Sequence, residues 1–137
     1  MKGKLAAGGN SPLFFMQYGL NFYKIRRIMQ MLAAEEKALA QLKDGLAAIL
    51  GDSLATARLY GSRARGDFDE RSDIDIAVVV RGLTRKTRDR ILEKAAEIEL
   101  ENLTPLSVLV LAEEEFEDLK IRERRIALDI EREGIPL

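Results

Sequence analysis

The chain contains neither cysteine nor histidine among its 137 residues. The absence of cysteine excludes disulfides and thiolate nucleophiles, and the absence of histidine excludes an imidazole base. Together the two absences remove the usual zinc ligands. A metal bound by this chain must therefore be held by oxygen atoms, and Mg²⁺ is the natural choice.

The chain also lacks a strong net charge and a long apolar run. Its 22 Lys and Arg residues nearly balance 23 Asp and Glu residues, so the net charge is −1. This balance provides no general attraction to polyanions, and we expect no direct binding to nucleic acid or to an acidic membrane. No apolar run approaches the roughly 20 residues that span a bilayer. We therefore expect a cytoplasmic protein.

The most informative segment runs from Tyr60 to Val80 and reads YGSRARGDFDERSDIDIAVVV. On a strand, alternate side chains share a face, so we expect Asp73 and Asp75 to point the same way, with Ile74 and Ile76 in a core. Two adjacent carboxylates repel each other, and a divalent cation neutralises them most effectively. The pair therefore predicts a metal site.

A glycine turn precedes these acids. Gly61 can adopt backbone angles that are closed to other residues, and free backbone N–H groups at the following Ser62 suit a phosphate. Arg63, Arg65 and Arg71 add positive charge between the turn and the acids. We expect one of Arg63 and Arg65 to contact a phosphate, rather than both, because exposed arginines in a polar loop usually need no special role. A phosphate cradle beside a metal pair predicts a nucleoside triphosphate as ligand.

The spacing of these residues resembles a known signature. Gly61-Ser62, ten intervening residues and Asp73-Ile74-Asp75 are similar to the motif of the polymerase-beta-type nucleotidyltransferases. Ala64-Arg65-Gly66 and Ser72-Asp73 resemble the minimal nucleotidyltransferase (MNT) group, whose members are often encoded beside a HEPN-domain partner. The resemblance implies that Asp73 and Asp75 hold Mg²⁺ and that the Gly61-Ser62 turn, with Arg63 or Arg65, binds the triphosphate of ATP. It also implies a third carboxylate, on the next strand, that activates the attacking hydroxyl.

The chain departs from this family at the third acid. The next predicted strand, residues 106–111, offers no carboxylate, and its nearest polar side chain is that of Ser107. Three outcomes stay open: slow transfer, transfer with an acid borrowed from the motif loop (Asp67, Asp69 or Glu70), or nucleotide binding without transfer. A site with two carboxylates can still bind Mg-ATP through one cation.

Three functions follow from these observations. The first is Mg²⁺-dependent transfer of AMP from ATP to a hydroxyl, which by resemblance would be a Tyr of a HEPN toxin that this protein neutralises as an antitoxin. The second is a catalytically weak or inactive module that silences the same partner by binding. The third, modification of a small molecule such as an aminoglycoside, is disfavoured because the chain has no second domain to build that pocket.

Hydrophobic spacing predicts an α/β (α+β) fold with a small mixed sheet flanked by helices. The predicted elements are helix 31–50, strand 54–60, a helical turn 62–65, strand 73–80, helix 84–102, strand 106–111, and one long or broken helix 113–133. We divide the chain into a leader or docking arm, residues 1–30, and a nucleotidyltransferase domain, residues 31–137. Exposed apolar helix faces would make a homo-oligomer unsurprising.

Overall fold

The computed structural model describes residues 22–66 and 72–137. The chain divides into two units, residues 1–33 and residues 34–137. In the first unit, residues 22–33 are helical, and the second unit contains the whole sheet. None of the helices within the described ranges combines the length and the apolar character that crossing a membrane requires.

The described elements confirm the predicted fold class, which is a mixed α/β architecture. Their bounds, in chain order, are α1 Phe22–Leu50, a 3₁₀ turn Gly51–Ser53, β1 Leu54–Tyr60, α2 Ser62–Arg65, β2 Ile74–Val80, α3 Arg85–Asn102, β3 Leu106–Ala112, α4 Glu113–Ile121, α5 Arg125–Glu133 and β4 Ile135–Pro136. The predicted order of helices and strands is therefore confirmed, with β4 as an addition at the end of the chain.

The helix ends follow local chemistry. α1 ends at Leu50 because Gly51 takes a left-handed conformation, with φ at 52°. α3 begins after Thr84, whose hydroxyl accepts a hydrogen bond from the Thr87 N–H at 3.1 Å. The start of α1 differs from the prediction: it lies at Phe22 rather than Met31, because no glycine or proline interrupts residues 22–30. Residues 1–21 of the predicted arm lie outside the described residues.

Within the described ranges, four strands form one sheet in the order β3, β2, β1, β4. β2 pairs with β1 in antiparallel and with β3 in parallel orientation, and β4 pairs antiparallel with the other edge of β1. β2 is therefore a central strand. The run from Ala77 to Val80 is buried on both sides of the sheet, because each of these side chains is at most 1% exposed.

The two faces of the sheet are covered by different helices. We call face A the side that carries Ile74, Ile76, Val78 and Val80, and it packs in one apolar cluster with residues of α1 and α3, including Leu42, Leu46 and Ile91. We call face B the opposite side, where Ala77 and Val79 pack with residues of α4 and α5, including Phe116, Ala127 and Ile130. Alternation along β2 places Asp75 on face B, next to Ala77.

Two apolar residues of the helical segments, Leu103 and Ile126, are exposed. Leu103 is 87% exposed, because it lies just beyond α3 and takes a left-handed conformation with φ at 50°. Ile126 is 37% exposed. The predicted helix 113–133 is broken between Ile121 and Arg125, and this break sets the phase of α5 so that Ala127 and Ile130 face the sheet.

Candidate nucleotide and metal site

The glycine turn lies directly against Asp75. Tyr60, the last residue of β1, pairs with Asp75 on β2, so the turn that follows β1 meets the start of β2. Gly61 has φ 75° and ψ −155°, a combination that is essentially restricted to glycine. A Cβ atom on Gly61 would lie only 2.5 Å from Oδ2 of Asp75. Only glycine permits this approach, which brings the turn backbone and the carboxylate together.

The residues after Gly61 form the single helical turn α2. The Arg65 N–H donates to the Gly61 carbonyl at 3.1 Å, and the Gly66 N–H donates to the Ser62 carbonyl at 2.9 Å. Because α2 begins at Ser62, the N–H of Ser62 has no acceptor within the helical turn itself. The backbone N–H group of Ser62, the residue after Gly61, is therefore available to an acceptor outside the helical turn.

The two acids differ in exposure but affect each other. Asp73 is exposed, whereas Asp75 is half-buried. Burial is the main cause that raises the pKa of Asp75, and the negative charge of Asp73 raises it further. A hydrogen bond from Ser107 and the positive charge of Arg65 act in the opposite direction. Two mutually repelling carboxylates, one of them open to solvent, are the hard oxygen donors that a divalent cation such as Mg²⁺ prefers.

Ser107 occupies the position beside Asp75 where the third acid is missing. β2 and β3 run parallel with Asp75 and Ser107 in register, and the Ser107 hydroxyl donates a hydrogen bond to the Asp75 carboxylate. No group of three acidic side chains able to hold a metal ion occurs within residues 22–66 and 72–137. The acids of the motif loop, Asp67, Asp69 and Glu70, lie outside the described residues, as does Arg71.

The two arginines of α2 have different surroundings. The Arg63 side chain is only 6% exposed and forms an ion pair with Glu35, at 2.6 Å between Nη1 and Oε1. Its Nη2 donates to the backbone carbonyl of Ser72 at 2.7 Å. Arg65 is 42% exposed and pairs with Glu133 at 3.4 Å, and its charge also acts on Asp75. Of the two arginines, Arg65 is therefore the one that is both exposed and electrostatically coupled to Asp75.

Sequence reasoning missed two residues near this site. Tyr60 lies opposite Asp75 on the neighbouring strand, where burial and the charge of Asp75 raise its phenol pKa. Glu35 is a buried charge on α1. A signal for Glu35 was present, because it continues the spacing of Ala38, Leu42 and Leu46, which are all buried. A charge on an apolar stripe indicates a buried partner, although the spacing does not identify it.

The chain matches the family model described as the nucleotidyltransferase domain over residues 39–132. The match covers more than half of the chain, and the protein therefore belongs to this family. It includes the glycine turn, both acids and Ser107. The family expected from the Gly-Ser and Asp-Ile-Asp spacing is thereby confirmed.

Two similar proteins carry related names. A protein of Methanocaldococcus jannaschii, provisionally named a protein adenylyltransferase, is 36% identical over 63 residues. The aligned region is 45% of this chain and 64% of that protein, so the chain spans less than two thirds of the relative's length. A crystal structure from Sulfolobus solfataricus, provisionally titled a nucleotidyltransferase, is similar with a TM-score of 0.45 and 21% identity, covering 82% of this chain and 83% of the other.

Proposed function

We propose that this protein transfers AMP from ATP, with Mg²⁺, to a hydroxyl group of a protein partner. Nucleotidyl transfer is the chemistry of the family to which the chain belongs. The protein acceptor is suggested by the provisional name of the Methanocaldococcus relative. The resemblance of the motif to the MNT group narrows the partner to a HEPN-domain toxin, modified on a Tyr, with this protein as the antitoxin.

One observation carries the proposal. Gly61 approaches Asp75 so closely that a single added carbon would meet the carboxylate oxygen at 2.5 Å. A polyphosphate chelating a cation needs backbone N–H groups and carboxylates within one small volume, because the phosphate oxygens and the cation are bound together. The close approach of the turn to Asp75 places backbone N–H groups and a carboxylate together, and it therefore supports this arrangement.

The residues have distinct roles in the proposed reaction. Asp73 and Asp75 would hold Mg²⁺, and the Gly61-Ser62 turn would donate N–H groups to the triphosphate. Arg65 would add positive charge beside the phosphates. When bound, Mg²⁺ would offset the negative charge on the entering and leaving oxygens. The acceptor oxygen forms a bond to the α-phosphorus and gives up its hydroxyl proton to the surrounding water. The bond from the α-phosphorus to the bridging oxygen breaks, and pyrophosphate leaves with that electron pair.

Ser107 favours a second candidate function. The neutral hydroxyl beside Asp75 cannot take a proton from the acceptor as a carboxylate would, and it adds no charge to hold a second cation. The second candidate is therefore a nucleotide-binding module that transfers slowly or not at all and neutralises its partner by binding. This candidate uses the same turn and the same acids for the nucleotide.

Transfer and occlusion can be separated with ATP labelled at the α-phosphate. The purified protein is incubated with labelled ATP, Mg²⁺ and the product of the neighbouring gene, which the proposal expects to be a HEPN-domain protein. Label on a Tyr of the partner that disappears with EDTA and with Asp73→Asn would support transfer. Neutralisation of the partner without label would support occlusion, and neither label nor neutralisation would reject both functions.

Ser107→Asp gives a sharper test of the missing acid. This change places a carboxylate beside Asp75, and we expect faster labelling if the absent acid limits transfer. Ser107→Asn, of similar size but neutral, is the matched control. Equal labelling rates for the wild type and both variants would show that the acid at this position does not limit the reaction.

A further inference from the structure

The side chain of Arg63 connects the two halves of the candidate site. Arg63 lies in α2, two residues after Gly61. Its Nη2 donates to the carbonyl of Ser72, the residue that precedes Asp73. A single guanidinium therefore ties the glycine turn to the backbone that carries the first acid.

Glu35 holds the other side of this guanidinium. The Glu35 carboxylate of α1 contacts Nη1 of Arg63 at 2.6 Å, and the two side chains are 11% and 6% exposed. Burial raises the pKa of Glu35, and the nearby positive charge of Arg63 opposes but does not cancel this effect. The folded protein therefore keeps a carboxylate where burial disfavours its charge. Apolar residues can often replace a buried ion pair without loss of stability, so the presence of this pair is weak evidence for a stabilising role and leaves room for a role in geometry.

The shape of arginine suits this connection. A guanidinium is planar and presents several N–H donors in fixed directions, so it can serve a carboxylate and a backbone carbonyl at once. A lysine ammonium lacks this fixed arrangement. At 6% exposure the Arg63 side chain has little surface left for a phosphate, in contrast to Arg65.

We propose that the Glu35–Arg63 pair is a positioning device that holds the Asp73 end of β2 at a fixed place relative to the Gly61-Ser62 turn. Arg63 acts through Ser72 and does not touch the nucleotide or the cation. The expected consequence of this positioning is tighter binding of the cation, and that consequence rests on the proposed function. The arrangement of the two segments can be measured without any ligand.

The first test measures Mn²⁺ binding, without nucleotide, by electron paramagnetic resonance. We expect Arg63→Lys and Glu35→Gln each to weaken Mn²⁺ affinity by about 10- to 100-fold, the usual loss when groups that orient metal ligands are changed. The double variant Glu35→Gln, Arg63→Lys should lose little more than Arg63→Lys alone, because the two residues act as one unit. Glu97→Gln, which removes an exposed ion pair with Lys94 on α3, is the matched control and should bind Mn²⁺ as the wild type does.

A second variant separates positioning from general stability. Replacing a buried ion pair by apolar residues of similar size is often neutral or stabilising. The double variant Glu35→Met, Arg63→Met should therefore remain folded, with a melting temperature near that of the wild type, yet still lose Mn²⁺ affinity. Wild-type affinity in this folded variant would overturn the proposal.

Hydrogen exchange in the metal-free protein tests the positioning itself. We expect Arg63→Lys to speed exchange at residues 61–66 and 72–76 together, with little change in α3 or α4. Unchanged exchange in those two segments would also overturn the proposal. A third outcome separates the two proposals: exchange rises in both segments, but neither the wild type nor Asp73→Asn binds Mn²⁺. In that case the Glu35–Arg63 pair does position the segments, and the proposed function is wrong.

Discussion

The two faces of the sheet differ in how far apolar packing extends along β2. On face A the apolar cluster includes every inward residue of the strand, from Ile74 to Val80. On face B the apolar cluster includes Ala77 and Val79, and the strand continues to Asp75, which is half-buried beside the glycine turn. The same strand therefore serves the core on one side and the candidate site on the other.

This difference explains how a small domain keeps a charged site stable. The continuous packing on face A holds β2 in register independently of the charge at Asp75, because burial of apolar area is the dominant stabilising contribution to folding. Face B can then hold two acids close together, although their mutual repulsion is destabilising. Neighbouring residues of β2 on opposite faces should therefore respond differently to mutation.

The largest effect is expected for Asp75→Asn. Removing this charge should weaken Mn²⁺ affinity by more than about 100-fold, beyond the usual loss for a residue that only orients a ligand. The metal-free variant should melt at a higher temperature at pH 7. Because folding raises the pKa of Asp75, the contribution of this residue is fully present below its unfolded pKa and is lost as the pH rises through its folded pKa.

The control for this prediction is Asp44→Asn, which removes an exposed acid of α1. It should change neither Mn²⁺ affinity nor the melting temperature appreciably. If Asp75→Asn bound Mn²⁺ like the wild type and was less stable at pH 7, Asp75 would be a structural residue, and the contrast between the faces would not hold.

The next residue of the strand, Ile76, should show the opposite pattern. Ile76 is completely buried on face A, and Ile76→Ala should lower the free energy of unfolding by about 2–5 kcal/mol through lost burial and a cavity. Urea unfolding gives this number. Mn²⁺ affinity of the folded variant should stay within a few-fold of wild type, and a loss as large as that of Asp75→Asn would show that the faces are not independent.

Gly61→Ala should affect both stability and the site. The alanine Cβ would meet the Asp75 carboxylate, and the backbone angles of Gly61 are unfavourable for any side chain. We expect a loss of roughly 1–3 kcal/mol in unfolding free energy together with weaker Mn²⁺ binding. Gly82→Ala is the control, because Gly82 also has a positive φ, at 62°, but no heavy atom lies within 4 Å of the position that a Cβ atom would take. Equal Mn²⁺ affinities in the two variants would rule out the close approach at Gly61.

The smallest effect is expected for Ser107→Ala. The hydroxyl of Ser107 lowers the pKa of Asp75 against the stronger effect of burial, so its removal should raise that pKa further. Carboxyl carbon shifts of Asp75, followed by NMR in metal-free protein against pH, would show the midpoint moving upward. A midpoint that stays in place or moves downward would mean that the hydrogen bond contributes nothing.

Much of the fold was predictable from the sequence because its signals are local. β1 and the turn of α2 have the predicted bounds, since glycine punctuation and two-residue alternation act over a few residues. β4 had no comparable signal. It consists of Ile135 and Pro136, and its pairing depends on the free edge of β1. The break between α4 and α5 was open in the sequence, which predicted one long or broken helix.

The arginines show where local reasoning stops. Arg63 and Arg65 are equivalent by sequence, because both are cations in a short polar segment after Gly61. Burial against Glu35 distinguishes them, and Glu35 comes from a helix 28 positions earlier in the chain. Its place on the apolar stripe of α1 was visible, but the partner of a buried charge depends on which elements pack together.

The sequence by itself determined the family, the mixed α/β architecture and the alternation that places Asp75 and Ile76 on opposite sides of β2. These properties follow from residue spacing, because the backbone geometry of strands and turns fixes the direction in which each side chain points. Only the tertiary structure decided that Gly61 touches Asp75, that Ser107 lies beside it, and that Arg63 is buried while Arg65 is exposed. Such contacts join residues distant in the chain, and the pairing of strands and the docking of helices create them.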